Sequence, residues 1–534
     1  MSEQNKHPIL RCIGIALHVL VTVAAVTACA AGIYVHAVFP AEKLDELWFY
    51  LSGGVGNGGG ETVGKAVAVL VAPCLAVSAL LLFLQYGFRK RPIERRWVSK
   101  RSGRERVWHI LPIRPRWAFT TVCCLLLVGI GLGQVGTYSY LYASLHGSDF
   151  LERNYVDPKT EGGVTAPEKK RNLVFIALES METSFFSREE GGLWDENIIP
   201  ELYGLLSDPD AVYFATDGNT HGTLNAFGST WTTAALISYT SGLPFKVPVG
   251  KENSYHSKNF LSGAWSLGDV LAENGYRNIL VSGAETSFGG VAEYFTAHGD
   301  YDLVDVDHPY YTDSAGGRLE FSVPKSQTST WGFSDEATFR IAQEVLEAET
   351  EATDEPWQLF ISTIDTHFDG YTYSAGYGYR GSVTKYGTKT ENVYATTSRE
   401  VGLFIEWLKA QPFYENTTVV IVGDHPNMWK NLFGGVSADE RGRYNVILNS
   451  AVSPQGQDPH DRLFTAYDLY PTVLSALGFR LSTGHLALGV DLFSGSPTCA
   501  ELHGMETFNA ELQKRSDFYI DRIMGRRDYE DLEG

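Results

Sequence analysis

Along the first 145 residues the apolar positions gather into three long runs, roughly 9–39, 63–88 and 117–141. Each exceeds the ~20 residues needed to cross a bilayer core, so the pattern predicts three membrane helices. The first run is about twice the apolar core of a cleaved leader, and two more runs follow it. From about Pro167 the period changes. Short apolar runs at 172–178, 211–215, 278–281, 357–364, 417–422 and 444–448 read as strands buried on both faces. Helical stretches at 267–274, 335–348, 396–410 and 467–477 fall between them. Such alternation predicts an α/β fold with a mostly parallel sheet between helical layers. The expected organisation is a membrane part at 1–145, a polar linker at 146–170 and one α/β domain at 171–534.

Charge orients this picture. Residues 1–150 carry 15 Lys and Arg against 8 Asp and Glu, while the rest of the chain carries 28 against 55. Eleven of the basic residues lie in 89–116, between the second and third runs, which predicts a cytoplasmic loop. The chain is then multi-pass, with everything after about Tyr142 outside the cytoplasm. A net charge of −27 over 151–534 argues against nucleic acid as a partner. Of six cysteines only Cys499 lies in the acidic part, which excludes a disulfide framework there and thiolate-rich metal modules.

In open parallel sheets functional groups collect at the carboxyl ends of strands. Three strand ends here are chemically loaded: Glu179-Ser180, Asp365-Thr366-His367 and Gly423-Asp424-His425. A mixed carboxylate and imidazole set without cysteine suits zinc, manganese or a similar divalent ion. The segment Gly228-Ser229-Thr230-Trp231-Thr232-Thr233 opens an apolar helical stretch and offers hydroxyls at a helix amino terminus, where anions are favoured. Capping is the other use of such hydroxyls.

Those motifs, with the Gly242-Leu243-Pro244 turn, Trp331-Gly332-Phe333-Ser334-Asp335 and Asp468-Leu469-Tyr470-Pro471-Thr472, resemble membrane-anchored transferases of the alkaline phosphatase superfamily. The sequence is similar to the sulfatase-fold branch that holds lipoteichoic acid synthases and phosphoglycerol transferases. The stretch Ser266-Leu267-Gly268-Asp269 and the later Ser282-Gly283-Ala284 look most like the phosphoglycerol transferases.

The resemblance implies an alkaline-phosphatase-like α/β/α sandwich and a phosphotransferase. It implies a phosphatidylglycerol donor, a phospho-threonine intermediate and an envelope glycan or glycerol-phosphate acceptor, with the protein in a bacterial inner membrane. It also implies one divalent metal ion, Mn2+ first, with Mg2+ or Zn2+ as alternatives. By motif position Glu179, Asp424 and His425 correspond to metal ligands, and Thr232 to the nucleophile and fourth ligand. Thr230 and Thr233 remain alternatives for the nucleophile. His367 corresponds to the substrate-side histidine, and Asp335 and Trp331 to residues lining the site. The segment 282–291 lacks the His and Trp-x-Arg of lipoteichoic acid synthases, so polymerisation of glycerol phosphate is not implied. Phosphoethanolamine transfer, phosphodiester hydrolysis and a silent lipid- or glycan-binding role are the competing readings.

Overall fold

The computed structural model describes residues 8–38, 44–52, 59–87, 93–98, 103–111, 116–216, 218, 220–247, 260–328, 331–367, 383–428 and 432–525. The chain divides into two compact units, one of residues 1–47 and 58–141, the other of residues 48–57 and 142–534.

In the first unit two helices are long and apolar enough to cross a bilayer, Cys12–Ala37 and Ala66–Leu84. The third expected span, 117–141, is not one straight helix. Thr120–Gln134 and Thr137–Leu145 meet at 75°, so among the described residues the count is two spans, or three if this bent pair is one. The break falls where Gly136 takes φ +69° and donates its N–H to the Gly133 carbonyl at 3.2 Å, a conformation glycine adopts without steric cost. Gly131 sits where the helices Pro8–Val38 and Arg116–Gln134 touch. A Cβ there would stand 2.7 Å from the Ala28 carbonyl oxygen, so a small residue is what lets the two backbones approach. The basic loop carries an antiparallel hairpin, Ile93–Val98 with Glu105–Leu111.

The second unit is built on seven strands: β1 (Asn172–Leu178), β2 (Ala211–Val212), β3 (Arg277–Ser282), β4 (Asp302–Val304), β5 (Trp357–Ser362), β6 (Thr417–Gly423) and β7 (Asn445–Leu448). Their order is β2-β7-β6-β1-β5-β3-β4. The five strands from β6 to β4 run parallel; β7 pairs antiparallel with both β6 and β2. Every residue of β1, β5 and β6 is buried, which is why these strands read as continuous apolar runs. Alternate residues serve opposite layers. Phe175, Phe360 and Val420 pack with α1 (Thr232–Ser241), α2 (Leu267–Glu273) and α5 (Ala466–Ala476), while Val174, Leu359 and Ile421 pack with α3 (Asp335–Ala352) and α4 (Lys389–Lys409). Phe175 and Phe360, in register on neighbouring strands, stack with centroids 4.6 Å apart.

Two expectations change. The strand β4 carries too short an apolar stretch to stand out in the sequence. The polar stretch 146–170 is not a free linker: Phe150 and Leu151 are buried, Val164–Thr165 pairs with Arg480–Leu481, and Val156 bridges Ala487. A few apolar anchors spaced among polar residues are enough to fasten it.

Candidate active site

The central strands β1 and β6 are parallel neighbours, so their carboxyl ends deliver Glu179 and Asp424-His425 side by side. Gly423 ends β6 because a Cβ there would collide with the Met181 carbonyl, 1.8 Å away. Ser180 takes φ +50°, uncommon for a residue with a side chain. It donates its N–H to Asp424 Oδ1 at 2.7 Å and its hydroxyl to Glu179 Oε1 at 2.7 Å. Thr363 and Thr366, just past β5, complete the frame. Thr363 Oγ1 accepts from the Glu179 N–H at 2.9 Å, and Thr366 Oγ1 donates to the Glu179 carbonyl at 2.5 Å. Ser180 and Thr366 sit within the motifs that the sequence offered, whereas Thr363 lies at the end of the apolar run before Asp365, where nothing in the sequence marks it.

Ligand atoms of Glu179, Asp424 and His425 lie within 4.8 Å of one another, and all three residues are buried. His425 Nε2 stands 3.3 Å from Glu179 Oε1 and 3.6 Å from Asp424 Oδ2. Its other nitrogen, Nδ1, donates to the Pro426 carbonyl at 2.9 Å, which turns Nε2 toward the carboxylates, as in metal-ligating histidines. The electrostatics agree. Burial and the neighbouring Glu179 both push the Asp424 carboxyl up, and the two carboxylates outweigh burial to raise His425. For Glu179 burial is outweighed by His425, which pulls its carboxyl down. The cluster is thus short of positive charge, and either a proton or a cation must supply it. Two carboxylates and one imidazole converging on a point fit a divalent ion.

Thr232 is the first residue of α1, whose N-cap Trp231 provides no side-chain cap. Its Oγ1 lies 3.2 Å from Glu179 Oε2 and 3.3 Å from His425 Nε2. Thr233, one residue on, points elsewhere: its hydroxyl is 2.8 Å from where a Cβ on Gly289 would stand. Trp231 is buried against Phe245 and Phe49, the latter from the 48–57 segment of this unit, with ring centroids 6.0 Å away in each case. Phe49 lies some 180 residues upstream of Trp231, and no local pattern marks it.

The rings of His367 and Trp331 stand 4.8 Å apart, with Phe288 5.7 Å beyond Trp331, and His367 is near enough to Glu179 to help pull its carboxyl down. Asp335 is placed differently from the expectation that it lines the site. Fully buried at the start of α3, its Oδ1 accepts the N–H groups of Ile364 at 2.9 Å and Asp365 at 3.2 Å, and its Oδ2 accepts the Thr397 hydroxyl at 2.6 Å. It holds the loop that carries His367.

The sulfatase family profile matches residues 171–479, more than half of the chain. This chain belongs to the sulfatase family. Among curated relatives, phosphoglycerol transferase I of Xanthomonas axonopodis pv. citri (strain 306) is 28% identical over 335 residues, covering 62% of this chain and 44% of the relative. Phosphoglycerol transferase I of Escherichia fergusonii is 26% identical over 340 residues, covering 63% and 40% respectively. The chain therefore spans less than half the length of these relatives. Among solved structures, an alkaline phosphatase superfamily protein from Vibrio parahaemolyticus aligns at 20% identity and a TM-score of 0.48, covering 64% of this chain and 77% of that one.

Proposed function

We propose that this sulfatase-family chain is a metal-dependent phosphoglycerol transferase that moves the headgroup of phosphatidylglycerol through Thr232 to a glycan or glycerol hydroxyl of the cell envelope. The observation that carries this reading is the Thr232 hydroxyl, within hydrogen-bonding reach of both Glu179 and His425 at an uncapped helix amino terminus. An anion docked there meets backbone N–H groups and the positive end of the helix dipole. The named relatives support the phosphoglycerol group as cargo, and the apolar helices suit a lipid donor.

When bound by Glu179, Asp424 and His425, a divalent ion, Mn2+ in the first instance, supplies positive charge to phosphoryl oxygens in flight. The chain's own residues do the rest. Glu179 accepts the Thr232 hydroxyl hydrogen bond, orients the oxygen for attack on phosphorus, takes its proton as the new bond forms and gives it back when Thr232 departs in the second step. A new bond forms between phosphorus and Thr232 Oγ1, and the bond from phosphorus to the diacylglycerol oxygen breaks. His367, its ring beside that of Trp331, protonates that departing oxygen. An acceptor hydroxyl then returns its proton to His367 and displaces Thr232, regenerating the enzyme; the kinetics are ping-pong. Trp331 walls the donor side, and Asp335 keeps the His367 loop in place. In this reading the catalytic unit lies outside the cytoplasm, on the face of an inner membrane.

The test is incubation of the Mn2+-supplied protein with phosphatidylglycerol and, separately, phosphatidylethanolamine, following diacylglycerol release and intact protein mass. Release from phosphatidylglycerol with a glycerophosphoryl adduct on Thr232 is expected. Release from phosphatidylethanolamine alone would transfer the reading to phosphoethanolamine, and release from neither would refute it.

A further inference from the structure

Arg443, two residues before β7, is among the largest fully buried side chains in the protein, with no exposed surface. Its guanidinium forms no ion pair with a described carboxylate. It ends on three main-chain carbonyls instead. One terminal nitrogen donates to Asp424 at 2.6 Å and to Ser229 at 3.1 Å, and the other donates to Leu224 at 2.8 Å. The guanidinium lies 5.5 Å from the centre of the Tyr239 ring, and the Tyr239 hydroxyl donates to the Gly423 carbonyl at 2.7 Å.

A buried charge without a counter-ion is costly to desolvate, and charge-assisted bonds to carbonyls offset that cost only if all are made in good geometry. Where those bonds end is what gives Arg443 its meaning. The peptide joining Asp424 to His425 is held at both poles: its carbonyl by Arg443, its N–H by Asp424 Oδ1 at 2.6 Å. Rotation of that peptide, which would swing both side chains, is blocked. The same guanidinium grips the carbonyl of Ser229, three residues before Thr232. Tyr239, on the helix that Thr232 begins, reaches back to the residue before Asp424. Two side chains thereby span the gap between the end of β6 and the turn leading into α1.

We infer that Arg443, backed by Tyr239, is a positioning residue that sets the Asp424-His425 ligand pair in register with the Thr232 hydroxyl. The inference rests on the reading of the site given above, and its test separates the two. The full chain in detergent is titrated with Mn2+ by calorimetry, and phosphatidylglycerol turnover is followed in parallel. Arg443→Lys keeps the charge but cannot fork to three carbonyls; Tyr239→Phe keeps the ring and removes one hydroxyl. The Lys variant is expected to bind Mn2+ ~10–100-fold more weakly, the range for residues that orient metal ligands. Its kcat falls, while KM for the lipid and the far-UV circular dichroism stay those of the parent. The Phe variant loses a smaller factor, about 3–10-fold in Mn2+ affinity, as one supporting bond of several. Mn2+ affinities of both variants within about twofold of the parent would overturn the inference, a twofold change being under 0.5 kcal/mol. If Arg443→Lys does not fold, Tyr239→Phe decides alone: weakened Mn2+ binding supports the inference and unchanged binding overturns it. A parent that binds Mn2+ but releases no diacylglycerol refutes the transferase reading and leaves the Mn2+ comparison to decide this one. A parent that binds no Mn2+ overturns both.

Discussion

Glu179 and Glu182 stand three residues apart after β1 and are buried to 1% and 0% exposure, yet the fold treats them in opposite ways. Glu182 has a dedicated counter-ion: Arg441 donates to it at 2.5 Å, with further bonds from the Asn427 N–H at 2.6 Å and the Ser184 hydroxyl at 2.9 Å. Among the described residues no arginine or lysine pairs with Glu179. It faces a second carboxylate, a histidine and a threonine hydroxyl. Burial raises the Glu182 carboxyl more than Arg441 lowers it, whereas at Glu179 the histidine prevails over burial. A buried acid with its own cation is a closed knot; buried acids that share one imidazole are a site still open to a cation. The lesson is that burial alone does not mark function, and the unbalanced charge does.

The largest effect expected from this contrast is at Thr232, on the open side. Thr232→Ala should lower turnover by about 10⁴-fold or more, as loss of a nucleophile that acts as a unit with its partners does, and should abolish the adduct in intact mass. The melting temperature should stay within about 2 °C, since a partly exposed hydroxyl is removed without leaving a cavity. Thr233→Ala should keep the adduct. An adduct surviving in Thr232→Ala would move the nucleophile.

On the closed side the effect falls on stability. Arg441→Met strands Glu182 as an unpaired buried charge, expected to cost about 3–5 kcal/mol. Replacing both, Glu182→Leu with Arg441→Met, should recover most of that loss. Chemical denaturation of the two variants measures it. Mn2+ affinity of the folded fraction should match the parent; a large loss of metal binding in the double variant would erase the distinction between the two clusters.

Asp335 sits between these cases. Its carboxylate accepts three hydrogen bonds, and burial raises it despite them. Asp335→Asn replaces one accepting oxygen with a donor that faces N–H or O–H groups, a mismatch of about 1–3 kcal/mol. Because the loop it holds carries His367, the expected readout is a roughly 10-fold fall in kcat with KM for the lipid little changed, at about 1.4 kcal/mol per factor of ten. A rise in KM alone would return Asp335 to direct substrate contact.

Much of this was legible in the sequence because the central strands bury both faces. Such a strand is an unbroken apolar run, and the polar residue that ends it is conspicuous; hence Glu179, His367, Asp424 and His425. Helix register was not legible to the residue. Three threonines stand within four positions, and only the cap at Trp231 puts Thr232 rather than Thr233 beside Glu179. Arg443 and Phe49 were invisible for another reason: each acts on residues far away in the chain, through backbone carbonyls or ring packing that leave no local pattern. The stretch 146–170 misled because polar composition signals exposure, while a few buried anchors decide whether the chain is fastened.

Glu400 on α4 is a third kind of buried acid, and the smallest effect is expected there. Among the described residues its one close cation is the adjacent Arg399, at 3.7 Å, and burial, with Glu336 and Asp335 adding repulsion, pushes its carboxyl up to about 7. The folded state therefore holds a proton that the unfolded chain gives up near the ordinary glutamate range. Stability should fall as pH rises from about 4.5 through 7, and level off above, since the folded state has by then released the proton too. Glu400→Gln keeps the shape and cannot titrate. It should flatten this part of the pH profile and raise the melting temperature at pH 8 by a few degrees, with no change at pH 4. Equal slopes in parent and variant would mean that Glu400 takes up no extra proton on folding and that Arg399 offsets its burial.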